Sequence, residues 1–397
     1  MACLLKEGDG YSVVMFHGVG DGSSNLASSV SITTSLRFSH YDLLRGRNDV
    51  DGENEAYASA NSPSAAKIRV MDFCFASFSI LVLTNDGGLY SASPILFDGC
   101  AVPRKEVLDA VARLDDEIES AESDGKGETE ARLRQCKAAR RYWIDAFGLD
   151  SRSGGVESYY VTASVVHAKK AVSQAMSWQP RLQGPLLIFQ GDSNNSTCQC
   201  IESFGARGIV EGFAIASASS DSIEVGVGIL PADALLPRFE FESDVDSYVI
   251  DDIVAGSGII VERACIKTDQ EEENKASSTR AIVPSSTSRS SGIITDPLDD
   301  FMLHVVSASR IATVSTTAVS IASKCYQARL DGKRDMNDMG NIRTKVWSCF
   351  ESAADCSLSG AGVSKDVHLG HVLVASMSDG RWLLYLTFAN LFVCGCK

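Results

Sequence analysis

Residues 68–94 read IRVMDFCFASFSILVLTNDGGLYSASP, and this stretch decides the fold. An apolar run at residues 80–83 leads into Thr84, Asn85, Asp86 and Gly87, after which Leu89 and Tyr90 open a second apolar segment. Asp-Gly suits a tight hairpin, because these residues tolerate the positive φ that such turns require. Residues 372–384 repeat the order around Asp379-Gly380, and residues 213–225 repeat it with Asp221-Ser222 in the turn. The three turns lie 135 and 158 residues apart. With a blade of roughly 40–50 residues, each gap predicts about three blades of a degenerate β-propeller of about seven blades.

Outward from this stretch, short runs rich in β-branched residues recur at 12–16, 78–83, 159–166, 186–189, 259–261, 301–306, 311–321 and 371–375. Gly, Asn, Asp and Ser separate them, which is how strands and turns read. The expected class is all-β, a single propeller domain over residues 1–393. No regular Gly-His…Trp-Asp repeat occurs, so the chain is not an ordinary WD40 array. Two segments break the pattern. In residues 104–147, Val107, Val111, Leu114, Ile118 and Ala121 share one helical face, and Leu133, Cys136, Trp143 and Phe147 mark a second helix. This predicts an inserted α-helical hairpin with its turn at 123–127. Residues 268–291 combine an acidic run with many Ser and Thr and read as a disordered loop, and a milder loop spans 45–66.

The formal charge is -15, with 51 acidic against 36 basic residues. A nucleic-acid binder needs cationic surface to displace counterions, so direct DNA or RNA binding is not expected. Twelve cysteines are scattered along the chain. The first residues lack a basic segment followed by an apolar one, so they are not a secretory signal and the thiols should stay reduced. Residues 382–396 read WLLYLTFANLFVCGC. This is shorter than the roughly 20 residues a membrane-spanning helix needs. It reads as a buried strand followed by an aberrant chain end, not as a membrane anchor.

Catalytic and cofactor signatures fail one by one. Gly18-Val19-Gly20-Asp21-Gly22 lacks the third glycine of a dinucleotide fingerprint and no helical pattern follows. Gly125-Lys126 lacks the upstream glycine of a nucleotide-binding loop, and no G-x-S-x-G elbow is present. Cys198-x-Cys200 and Cys394-x-Cys396 have one-residue spacing, whereas zinc ligands usually stand two to four apart. On a strand each such pair would point to one face. The doublets Asp115-Asp116, Asp251-Asp252 and Asp299-Asp300 are adjacent, so they cannot converge across a substrate as glycosidase carboxylates must. No enzyme, metal or cofactor is expected.

In order and spacing, residues 68–94 and the segments after them resemble the linker nucleoporins of the nuclear pore's cytoplasmic face, the nucleoporin eighty-eight / eighty-two family. The matching positions are Asp72, Phe73, Phe75, Asp86, Gly87, Tyr90, Ser93 and Pro94. A helical insertion ending in an aromatic-rich stretch follows in such proteins, and residues 141–147 fill that place. Next come Leu182-Gln183-Gly184-Pro185-Leu186 before an apolar strand, a strand pair at 213–230, and the run from Asp296-Pro297 through His304 to Ile311. The match covers roughly residues 68–321, and the two ends match weakly.

The resemblance implies a non-enzymatic scaffold subunit of the nuclear pore complex. It would dock other nucleoporins and support mRNA export and nucleocytoplasmic transport, with no small-molecule substrate, no direct nucleic-acid contact and no membrane insertion. Phe-Gly occurs only at Phe147-Gly148 and Phe204-Gly205, so the chain would hold the transport barrier and not form it. Sustained heptads are missing after Ile321, so the C-terminal coiled coil of the family is absent and the chain reads as a fragment of such a protein. No partner-docking residue can be carried over. The alternatives are a propeller interaction module outside the pore, such as a substrate receptor or coat subunit, and, last, a propeller hydrolase.

Overall fold

The computed structural model describes residues 2–7, 10–18, 30–39, 43, 68–76, 78–93, 95–96, 98–124, 128–149, 159–174, 182–189, 197–204, 210–218, 222–231, 238–239, 241, 258–267, 292–295, 302–306, 310–315, 342–343, 346–351, 358–366, 370–377, 379–386 and 391–395. The loops expected at 45–66 and 268–291, and Pro94, lie outside them.

The strands gather into successive antiparallel sheets. The first holds β1 (Ala2–Glu7), β2 (Gly10–Gly18) and β3 (Val30–Ser39). The second begins with β4 (Val70–Ala76), β5 (Ser79–Thr84) and β6 (Gly88–Ala92). The insertion follows, with β7 (Ala101–Pro103), α1 (Arg104–Asp124), α2 (Glu128–Phe147), β8 (Tyr160–Thr162) and α3 (Val165–Ala171). The chain then returns as β9 (Gln183–Ile188), which pairs with β6 as the fourth strand of the interrupted sheet. The third sheet contains β10 (Thr197–Phe204), β11 (Val210–Ala218), β12 (Ser222–Pro231) and β13 (Ile259–Lys267). The fourth is β14 (Ile293–Thr295), β15 (Met302–Val306) and β16 (Arg310–Ser315), joined by β18 (Val346–Glu351) after β17 (Ile342–Arg343) pairs with β13. The fifth is β19 (Leu358–Asp366), β20 (Gly370–Met377), β21 (Trp382–Leu386) and β22 (Leu391–Gly395).

Strand periodicity explains how these sheets stack. In the second sheet Ile80, Val82, Tyr90 and Ala92 join Tyr11 and Val13 of the first sheet in one core. Leu81, Leu83 and Leu89 point the other way and join Ile201, Phe213 and Ile215 of the third sheet. Both faces of β5 are therefore buried, which is why its sequence is a continuous apolar run with no alternation. Two further cores follow the same logic, between the third and fourth sheets and between the fourth and fifth. First strands meet across the sheet boundaries, with β10 against β4 and β14 against β10. Consecutive antiparallel meanders packed face to face in chain order make this a β-propeller.

Three expectations change. The gap from Asp86 to Asp221 spans one sheet boundary and not three blades, because the helical insertion takes up residues 101–171. The run at 159–166 is a strand for only three residues. Ser164 then caps α3 by accepting the N–H of His167 at 3.5 Å, and Val165, Ala168 and Ala171 bury one helical face. Where one buried strand was expected, Trp382–Leu386 and Leu391–Gly395 form two paired strands, with Trp382 opposite Gly395. Among the described residues, no helix is long and apolar enough to cross a membrane.

The helical hairpin follows its sequence pattern. Val107, Leu114, Ala121, Cys136, Trp143 and Phe147 are all buried, and most share one core with Phe239 and Phe241 of the segment after β12. Trp143 stacks on Phe147 and meets the edge of Phe78, at 5.6 and 4.9 Å between ring centres. Ion pairs Arg132–Glu117, Lys137–Glu122 and Arg140–Asp115 tie the two helices along their outer seam.

Candidate functional site

The signature residues occupy structural positions. Asp72 is buried on β4, and one of its carboxylate oxygens accepts the backbone N–H of Ile201 on β10 at 3.0 Å. The hydroxyl of Ser203 donates to the carbonyl of Phe75 across the same boundary. A register shift between Val70 and Asp72 turns Asp72, Cys74 and Ala76 toward the third sheet, while Phe73 and Phe75 lean on the first-sheet side, edge to face at 6.1 Å. Asp86 accepts the Thr84 hydroxyl at 2.7 Å and so shapes the β5–β6 turn. Gly87 sits at φ +87°, and a Cβ there would fall 1.9 Å from the carbonyl oxygen of Phe189, which pairs with Gly87 by its N–H. Tyr90 is fully buried and its hydroxyl donates to the carbonyl of Leu43. Gly184, at φ +128°, and Pro185 enter β9 beside Tyr90 and are buried. Of the described signature residues Asp86 is exposed, Phe73 and Phe75 are half-buried, and the others are buried.

The cysteine pair on β10 differs from expectation. The register slips between Cys198 and Cys200, so the two thiols enter different cores instead of one face. Burial pushes the Cys198 thiol up to about 12 and the Cys200 thiol well above its ordinary value, so both stay protonated. Among the described residues no group of three or more His, Cys, Asp and Glu is placed to hold a metal.

Two features escaped the sequence reading. The Gln135 side chain clasps the backbone of Phe239 from both sides, its amide donating to the carbonyl and its oxygen accepting the N–H at 2.8 Å. Tyr142 packs on the Phe239 ring and Arg134 lies over Phe241, so Phe239 and Phe241 complete the core of the insertion. The Phe-x-Phe pattern beside β12 was the available signal. The second feature is a surface. Of the large hydrophobic residues that are exposed among those described, Leu108, Tyr159, Tyr160 and Val166 belong to the insertion and Met71 alone to a blade.

No protein-family model matches the chain, and no curated protein does. Among solved structures, it is similar to a chain of the Chaetomium thermophilum heterotrimeric complex of Nup82 NTD, Nup159 TAIL and Nup145N APD. That likeness has a TM-score of 0.59 at 13% identity, covering 98% of this chain and 71% of that one. A chain of the yeast Nup82-Nup159-Nup116 nucleoporin complex aligns with a TM-score of 0.49 at 12% identity, over 98% and 71%. The Vanderwaltozyma polyspora Nup133 β-propeller domain aligns with a TM-score of 0.32 at 8% identity, over 93% and 64%. At such identities the first of these likenesses carries the fold: this chain is a β-propeller of the kind seen in the Chaetomium Nup82 complex.

Proposed function

We propose that this chain is a scaffold subunit of the nuclear pore complex, a linker nucleoporin whose propeller docks other nucleoporins on the cytoplasmic face and so supports mRNA export. The observation that carries the reading is the likeness to a chain of the Chaetomium Nup82 complex over 98% of the length, together with the Asp72-led signature order. The relative's complex is built from three nucleoporins, which supports protein partners here. The described signature residues other than Asp86 are buried or half-buried, which leaves docking to other surface. The role is structural and not enzymatic, and any association with messenger RNA passes through partners, in keeping with the charge of -15.

A fluorescently tagged chain should mark the nuclear rim. The purified chain should bind RNA no better than an acidic control protein. Absence of rim signal, or tight salt-sensitive RNA binding, overturns the reading.

A further inference from the structure

The helical insertion has a core of its own. Its buried apolar cluster shares no residue with the cores between the sheets, and all but two of its members lie within residues 96–172. The two exceptions are Phe239 and Phe241, from the connection between β12 and β13. Among the described partly buried hydrophobic residues packed on this core, only Phe78 comes from outside the same range. A module with a separate core and few outside contributors is the kind of unit that opens locally while its neighbours stay folded.

The connection that carries the two phenylalanines is far longer than its ends require. Ile229 on β12 pairs with Ile259 on β13, and antiparallel strands so placed can be joined by a two-residue turn. Residues 232–258 intervene instead. Closing so long a loop costs chain entropy, which contacts made along it must offset. Those contacts reach the insertion and the strand that follows it. Gln135 takes both backbone hydrogen bonds of Phe239, accepting its N–H at 2.8 Å, and the Tyr142 ring lies 5.3 Å from the Phe239 ring. Arg134 lies over Phe241 at 5.5 Å, and the Gly258 N–H donates to the Leu186 carbonyl of β9 at 2.8 Å. Phe239 and Gln135 are 0% and 1% exposed. A buried backbone needs partners for its N–H and carbonyl, and here an amide side chain supplies both.

We propose that the β12–β13 connection is a strap whose Phe239 and Phe241 latch the helical insertion shut, and that releasing the latch opens the insertion as one unit while the sheets stay folded. Removing the Phe239 ring leaves a void beside Tyr142, and removing the Gln135 amide leaves two buried backbone groups without that partner. Either change is felt in a core made almost wholly of the insertion's own residues. An opened insertion presents apolar surface of α1 and α2 that the closed form buries, so the latch decides which of the two surfaces the molecule shows. The latch is independent of the scaffold reading.

Native-state hydrogen exchange of the full chain, resolved by mass spectrometry, tests the latch. Gln135→Leu and Phe239→Ala should each speed exchange in α1 and α2 by about tenfold or more, while β15 and β16 of the fourth sheet stay within about twofold of wild type. Phe239→Leu keeps the backbone clasp and most of the apolar volume, so it should give a smaller rise, and it keeps the test valid where the harsher variants fail to fold. Unchanged exchange in α1 and α2, acceleration confined to β12 and β13, or equal acceleration in the fourth sheet overturns the proposal.

Discussion

Asp72 on β4 accepts the backbone N–H of Ile201 on β10, so a side chain of one sheet completes the hydrogen bonding of the next. Propeller sheets are held side by side mainly by apolar contact, which is non-directional. A buried carboxylate aimed at one N–H adds a directional element to that boundary. Asp72→Ala leaves the Ile201 N–H buried without this acceptor and should cost about 1–3 kcal/mol, whereas Asp72→Asn retains an acceptor oxygen and should cost less. Urea denaturation followed by tryptophan fluorescence measures both, and an equal loss in the two variants would count against the directional role.

Gly87 and Gly380 occupy equivalent Asp-Gly turns at φ +87° and +86°, but their surroundings differ. Beyond Gly380 there is open space, while a Cβ at Gly87 would run into the Phe189 carbonyl. Gly380→Ala should therefore cost only the left-handed conformation, about 1–2 kcal/mol. Gly87→Ala should add about 1–3 kcal/mol for displaced backbone. Thermal melts of the two variants give the comparison, and similar losses would show that the β6–β9 boundary yields easily.

Trp143 lies between Phe78 and Phe147 in the core of the insertion and is 3% exposed. Trp143→Ala should destabilise the domain by about 3–5 kcal/mol, as expected for a buried large aromatic. An unchanged melt would instead identify the hairpin as a loosely attached appendage.

Alkaline conditions should weaken the fold. Burial raises the Cys198 thiol from 9.0 to about 12, and the Cys200 and Cys136 thiols move in the same direction. Between pH 9 and pH 12 the unfolded chain loses the Cys198 proton that the folded chain keeps. Stability is thus full below pH 9 and falls as pH rises toward 12, by about 1.4 kcal/mol per unit from Cys198. Cys198→Val should make the decline of urea midpoint with pH shallower above pH 9, and an unaltered slope would show that other groups govern it.

Local sequence carried the all-β class, the hairpin at Asp86-Gly87 and the helical insertion, because each rests on periodicity or turn chemistry within a short window. Val107, Leu114 and Trp143 announced the buried helical faces, and the structure buries them. What depends on neighbours distant in the chain was settled only in three dimensions. A bulge separates Cys198 from Cys200, and Ser164 converts an apparent strand into a capped helix, both through backbone bonding that residue type alone leaves open. The partnership of Gln135 with Phe239 joins positions 104 residues apart. The exposure of Tyr159 and Tyr160 likewise reflects which faces the folded chain leaves uncovered, since an aromatic pair in sequence is equally consistent with a core strand.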